Sequence, residues 1–377
     1  MTKTEKLLCE LIALPSVNPA FLPPGNPFAG EQKVAGFLAA TAARAGLDVE
    51  LQPALPQRSN LLVRLPSTGK AQQRLLLAPH LDTVGGTEVP DMLFTPCAKG
   101  GRLFGRGACD TKGSVAAMFT ALCEFAESAR PVRTEIVFAG LIDEESGQAG
   151  SRALVASGFK ADLAIVGEPT RLKAVTAHKG TLWLQLETRG KAAHGARPEL
   201  GRNAVHEMAR IVDLLETRYA AQLRRRRHPL LGRATINVGS IRGGKQPNIV
   251  PDECAILIDR RTLPGESNTR VISEIKQLLR ENGLSAQVRS TQTGRCGPME
   301  TNPGQPLIQE LFRSFGQKLP IGVDYFSDAG VLAEAGIPSV IFGPGDIAQA
   351  HTPDEWVSLG QLERSKEMLL RFFRTLS

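Results

Sequence analysis

Apolar residues recur along this chain in two rhythms. Short continuous runs at Leu75 to Ala78, Ile136 to Ala139 and Leu163 to Val166 read as strands buried on both faces. Helical spacings fall between them: Leu7, Leu8, Leu11 and Ile12, then a segment at 31 to 45, then Val115, Met118, Phe119 and Leu122 in a helix starting near Lys112, then 149 to 157. Strands at 48–52 and 60–65 precede Leu75, and a loop region with short strand pieces covers 85–109. Helices at 304–316, 328–335 and 359–375 and a strand at 338–342 follow later. Alternation of this kind predicts an α/β domain: a mostly parallel sheet with helices on both faces.

The texture changes between about Leu172 and Arg289. Residues 174–189 alternate as one long strand, with Leu182, Leu184 and Leu186 on one face. A helix at 202–225, strands at 233–241 and 253–261, a helix at 268–282 and a strand at 284–290 follow. The order β-α-β-β-α-β is that of a ferredoxin-like split unit. It predicts an inserted α+β domain at 173–289 within a discontinuous sheet domain, 1–172 plus 290–377.

The buried strands end in ionisable residues. Leu75 to Ala78 runs into His80 and Asp82, the strand at 134–142 into Asp143, Glu144 and Glu145, the strand at 162–167 into Glu168, and the strand at 338–342 leads to His351. Asp110 stands in a glycine-rich turn before a helix. Parallel sheets bind ligands beyond the carboxyl ends of their strands, so these residues are expected on one rim. Several carboxylates brought together repel unless a cation joins them. Imidazole with carboxylate and no thiolate suits zinc, cobalt or manganese. Two histidines and three carboxylates exceed one catalytic ion's usual three protein ligands, and they fit two ions if one carboxylate bridges.

Composition narrows the picture little further. The six cysteines show no CxxC spacing, which argues against a disulfide framework and a thiolate zinc site. No run of 18 apolar residues predicts a membrane span, and the charged amphipathic start is unlike a signal peptide, giving a cytoplasmic expectation. The net charge of +7 includes the block Arg224 to Arg227, which lacks interleaved aromatic residues and reads as a solvated helix end rather than a nucleic-acid surface.

The segments PHLDTV, GRGACDTKG, IDEESG, VGEPT and GPGDIAQAHTPDEWV, in this order and spacing, resemble the M20 metallopeptidases over essentially the whole chain. The resemblance implies one ion on His80, Asp110 and Glu168 and another on Asp110, Glu145 and His351, with a cis peptide after Asp110. It implies Glu144 as general base and Asp82 as the residue orienting the His80 ring. Within the insert it implies His194 as an oxyanion donor, acting across subunits in dimers, and Asn248 and Arg261 as binders of the substrate carboxylate. For Arg261 a structural salt bridge is the alternative. Gly343 and Gly345 are expected to let main chain approach the substrate. His178, His206 and His228 are expected to be structural or on the surface.

The resemblance implies a two-metal amidohydrolase that removes an N-acyl group from an amino acid. Two divalent ions, zinc before cobalt or manganese, a homodimer formed through the insert and a small N-acyl amino acid substrate go with it. GPGDIAQAHTPDEWV with HKG at 178–180 is most similar to the acetylornithine deacetylase branch, hence arginine biosynthesis. Succinyl-diaminopimelate desuccinylase, aminoacylase and dipeptidase or carboxypeptidase chemistry follow. A silent binding protein of the same fold is disfavoured by the presence of Glu144 and every ligand position.

Overall fold

The computed structural model describes all residues except 86–90, 129–132, 293 and 377. Residues 86–90 of the expected 85–109 loop therefore lie outside the described residues. The chain forms two compact units, one of Met1–Ala177, Glu300–Gly322 and Ser327–Ser377, the other of His178–Met299 with Val323–Phe326.

In the first unit the strands Thr134–Gly140, Gln73–Pro79, Leu163–Gly167 and Ser339–Ile341 lie side by side and parallel. Antiparallel strands Arg58–Leu65 and Asp48–Leu55 extend the sheet beyond Thr134–Gly140. Consecutive residues Leu75, Leu76 and Leu77 are all buried, as a strand covered on both faces requires. Alternate positions Leu75, Leu77, Ile136, Phe138, Leu163 and Ile165 share one core with Val115, Phe119 and Leu122 of helix Lys112–Glu127, Leu369 and Phe373 of helix Leu359–Thr375, and Leu8 and Ile12 of helix Lys3–Ala13. Phe119 meets Phe138 edge-on at 5.4 Å between ring centroids. Thr2 starts the first helix by a reciprocal capping box with Glu5. Helix Ala329–Glu334 packs on strands Leu163–Gly167 and Ser339–Ile341.

The expected single strand over 174–189 is instead two. Val175–His178 pairs with Ser339–Ile341 in the large sheet, and Gly180–Arg189 belongs to the sheet of the second unit. The break falls at Lys179, beside a glycine whose added Cβ would lie 2.4 Å from Thr262 Oγ1 and 2.6 Å from Pro298 N. The outer limits of the second unit accordingly differ from 173–289. Residues 175–177 go with the first unit through their strand partners, and Cys296 goes with the second because it bridges Thr181.

The second unit has the ferredoxin-like strand order: Thr235–Gly243, Glu253–Thr262, Gly180–Arg189, Gln287–Ser290, all antiparallel. Asn203 caps helix Ala204–Leu214, which continues through a π-turn at Leu215–Tyr219 into Ala220–Arg224. Arg226 of the basic block is bound to Glu266 at 2.7 Å and Glu274 at 2.9 Å, a structural use the block's sequence does not show.

Candidate metal centre and active site

Three strand ends and two loops deliver the ionisable residues of the candidate site. His80 follows Gln73–Pro79, Glu144 and Glu145 follow Thr134–Gly140, Glu168 follows Leu163–Gly167, and Asp110 precedes helix Lys112–Glu127 with a cis peptide to Thr111. His351 comes ten residues after Ser339–Ile341, with a φ of 63°. His80 and Asp110 are buried, whereas the His351 side chain is 55% exposed.

The Asp110 carboxylate divides itself between two imidazoles. Its Oδ1 lies 3.1 Å from His80 Nε2 and its Oδ2 lies 3.3 Å from His351 Nε2. His351 Nε2 is also 3.3 Å from Glu145 Oε2. His80, Asp110 and Glu145 each offer a ligand atom within 4.8 Å of the others. Two donors held ~2.1 Å from one tetrahedral ion stand ~3.4 Å apart, close to these separations.

Electrostatics point the same way. Burial, then the Asp110 charge, pushes Glu145 up to about 7 and Glu168 well above the carboxylate range. Burial and Glu168 raise Glu144 in the same manner. Burial alone would depress His80, but its bonds to Asp110 and Asp82 outweigh that and hold it well above the ordinary value. Bonds to Asp110 and Glu145 raise His351 to about 10. Carboxylates driven to take protons beside imidazoles driven to keep them form a set short of positive charge, and divalent ions supply that charge. Glu145 Oε1 is buried with no hydrogen-bond partner among the described residues, an acceptor left for such an ion. The donor set fits the expected metals.

Asp82 does meet the His80 ring, but chiefly through its main chain. His80 Nδ1 is 2.9 Å from the Asp82 carbonyl oxygen and 3.5 Å from the carboxylate. The carboxylate instead accepts from the N–H groups of Glu144 and Glu145, each at 3.1 Å, and from Asn18 Nδ2 at 2.8 Å. It therefore orients the turn that carries the two glutamates as much as the ring. Asp143 holds a left-handed φ of 68° and accepts from Asn18 and Arg58. Arg58 also donates twice to the buried Glu31.

Asn18, Glu31 and Arg58, with Glu355 and Asp328, escaped the sequence reading. Asp328 is buried, accepts from Ser151 Oγ at 2.5 Å, and is pushed up to about 6 by burial. At Gly343, an added Cβ would lie 2.2 Å from Ser114 Oγ and 2.6 Å from the Glu168 carbonyl oxygen, and at Gly345 (φ 91°) 2.6 Å from Cys109 Sγ. Packing inside this unit already accounts for glycine at both places, without any approach to a substrate.

Within the second unit His194 and Asn248 are brought together. The loop segments bridge between His194 and Ile249, and Gly195 N–H donates to the Asn248 carbonyl at 2.7 Å. Both side chains are exposed, and His194 Nδ1 accepts from Ala196 N–H at 3.1 Å. Arg261 Nε donates to Asp259 at 3.0 Å, so the salt bridge considered as its alternative role is present. His178 is fully buried, with Nδ1 2.9 Å from the Lys179 carbonyl, whereas His206 is exposed and His228 half-buried.

Among the described residues no helix is long and apolar enough to cross a membrane. Peptidase family M20/M25/M40 matches residues 76–375. The chain is 33% identical over 343 residues to an acetylornithine deacetylase of Myxococcus xanthus, covering 87% of each. It is 30% identical to an acetylornithine deacetylase of Edwardsiella ictaluri, over 95% of this chain and 94% of that one. In fold it is similar to the aminopeptidase PepT of Bacillus cereus, with a TM-score of 0.80 at 22% identity over 99% of this chain and 98% of that one. A dinuclear metal binding M20 peptidase of Bacillus subtilis gives a TM-score of 0.72 at 12% identity, over 99% and 97%. A rim of buried carboxylates with the buried His80 and the exposed His351 is thus met by a family match over most of the sequence: the chain belongs to peptidase family M20/M25/M40, and it is a metal-dependent hydrolase of amide bonds.

Proposed function

We propose that the protein removes the acetyl group from N-acetylornithine, acting in the cytoplasm as a two-metal deacetylase of arginine biosynthesis. The observation that carries the two-metal part is the Asp110 carboxylate, one oxygen toward His80 and the other toward His351. The substrate part rests on relatives at 30–33% identity that bear the acetylornithine deacetylase name.

In this reading His80, Asp110 and Glu168 hold one divalent ion, zinc before cobalt or manganese, and Asp110, Glu145 and His351 hold the other. Bound there, such ions polarise an amide carbonyl and acidify water. Glu144 takes the proton of the attacking water and delivers it to the departing nitrogen, so that acetate and ornithine leave. Asp82 holds the Glu144 main chain through the 3.1 Å bond, which fixes where that carboxyl starts. His194 accepts at Nδ1, so its neutral ring carries the proton on Nε2, the donor the tetrahedral oxyanion needs. Asn248 and Arg261 bind the substrate carboxylate, Arg261 by its guanidinium N–H groups not given to Asp259. A homodimer through the second unit is supported by the exposed apolar Trp183, Ile241 and Leu257 on its sheet.

The test is release of free amine from N-acetylornithine, N-succinyl-diaminopimelate, N-acetylmethionine and simple dipeptides, with chelated and zinc- or cobalt-loaded enzyme. Metal-dependent turnover concentrated on N-acetylornithine is expected. Turnover concentrated on another member would replace the substrate while keeping the hydrolase, and turnover by fully chelated enzyme would remove the metal reading.

A further inference from the structure

Four residues beyond His351 stands a carboxylate that none of the roles above uses. Glu355 is 3% exposed, and a carboxylate so buried must be satisfied by hydrogen-bond donors. Its Oε1 accepts the main-chain N–H groups of Cys109 and Asp110, each at 2.9 Å. Its Oε2 accepts Gly107 N–H and the Arg106 guanidinium, each at 2.9 Å. Four donors fill the capacity of the group.

The identity of those donors matters. Three are main-chain amides of the turn that carries Asp110, so the carboxylate grips the backbone whatever side chains the turn bears. That turn lies between strand Arg102–Phe104 and helix Lys112–Glu127 and has no ladder of its own to hold it. On the other side Glu355 belongs to the segment of His351, and the next residues, Trp356–Ser358, pair with Arg102–Phe104. The Glu355 carbonyl oxygen also accepts Gly105 N–H at 3.0 Å. Asp110 and His351, 3.3 Å apart at their nearest atoms, thus come from two segments clasped by one side chain.

We infer that Glu355 is a positioning residue that sets Asp110 against His351 by gripping the Asp110 turn, and so tunes the affinity and geometry of the metal pair. The inference rests on the ligand roles proposed above for Asp110 and His351. Glu355→Gln is the sharpest perturbation because it keeps volume and shape. Its amide nitrogen must face donors at one of the two oxygen positions, so two of the four bonds are lost. Loss of such an outer hydrogen bond typically costs ten- to a hundredfold in metal affinity.

The experiment uses the 377-residue chain, stripped with chelator and titrated with cobalt(II). Stoichiometry and affinity are read by equilibrium dialysis and ligand geometry by visible absorption, for the parent, Asp110→Asn and Glu355→Gln. The parent is expected to bind two ions, Asp110→Asn to lose most of that binding, and Glu355→Gln to bind with about ten- to a hundredfold lower affinity and a shifted absorption band. A merely structural Glu355 would lower the thermal midpoint of the metal-free protein and leave affinity and band unchanged, which overturns the inference. If Asp110→Asn itself binds like the parent, the ligand assignment falls and takes the inference with it. Should Glu355→Gln fail to fold, Arg106→Gln carries the same measurements. It keeps the carboxylate and its three amide bonds but removes the guanidinium that orients it. A several-fold loss of affinity with a shifted band is expected, and parent-like values again overturn the inference.

Discussion

Arg58 is the cation on which the turn of Glu144 and Glu145 depends. Its guanidinium donates to both oxygens of Glu31 and, at 3.2 Å, to Asp143 Oδ1, and the three side chains are 12%, 2% and 10% exposed. Replacing Arg58 by Met keeps much of the stem's volume and leaves two buried carboxylates without their shared counter-charge. Breaking a buried pair in this way costs about 3–5 kcal/mol. Glu31→Gln is different in kind. Burial already pushes the Glu31 carboxyl up against the pull of Arg58, so its charge is held at a cost, and a neutral amide keeps one acceptor for the guanidinium. That change is expected to cost only about 1–2 kcal/mol. With Glu31 already neutral, Arg58→Met strands one carboxylate rather than two, so the double variant should fall short of the sum by at least about 1 kcal/mol. Urea unfolding of the metal-free protein in a Trp183→Phe background reports the first unit, because Trp356 is then the sole tryptophan. A loss below about 1 kcal/mol for Arg58→Met, or strictly additive losses, would refute the reasoning.

Three further outcomes are expected. Glu144→Gln should keep its metal content, measured by elemental analysis, yet lose at least about a hundredfold in turnover, and near-parental turnover would end its assignment as the base. Burial, against a main-chain bond to Lys179, lowers the folded pKa of His178 to about 4 from an ordinary 6.5. The unfolded chain therefore takes up this proton first: the stability contribution is complete above about pH 6.5 and lost as the pH falls toward about 4, some ~3 kcal/mol in all. Urea titrations between pH 6.5 and 5 should show a shallower decline for His178→Gln than for the parent, and equal slopes would count against the buried neutral ring. Gly343→Ala must displace Ser114 Oγ and the Glu168 carbonyl, so it should cost about 1–3 kcal/mol and lower metal content, with calorimetry and metal analysis as checks.

The strand ends were legible because an apolar run stops abruptly at ionisable residues: Ala78 and Pro79 then His80, Leu141 and Ile142 then Asp143 to Glu145, Val166 and Gly167 then Glu168. That signal is local, and it located most of the residues the first unit gathers. Glu355 shows the opposite case. It stands inside a motif read from the sequence, yet its four donors lie 245 to 249 residues earlier, where no window of pattern reaches. Asn18, Glu31 and Arg58 likewise act through partners far along the chain. The alternation across 174–189 was real, but periodicity reports which face a residue takes and not which sheet it joins, so the break at Lys179 was hidden. Asp82 was found, and its main-chain contact with His80 was not, because a carbonyl has no letter in the sequence.

The place of strand Ser339–Ile341 has a bearing on biosynthesis. It lies between Leu163–Gly167 and Val175–His178 in the large sheet, although both neighbours are translated long before it. At ribosomal speeds of about 5–20 residues per second, roughly 10–30 s separate Val175–His178 from its missing neighbour. Until then the edges of Leu163–Gly167 and Val175–His178 that meet this strand have no partner in place, while the four strands of the ferredoxin-like unit, between 180 and 290, are all translated before it. His351, proposed above as a ligand, emerges later than this strand. An open edge is a template for pairing with another chain, so this is the interval in which the large sheet is most exposed to aggregation.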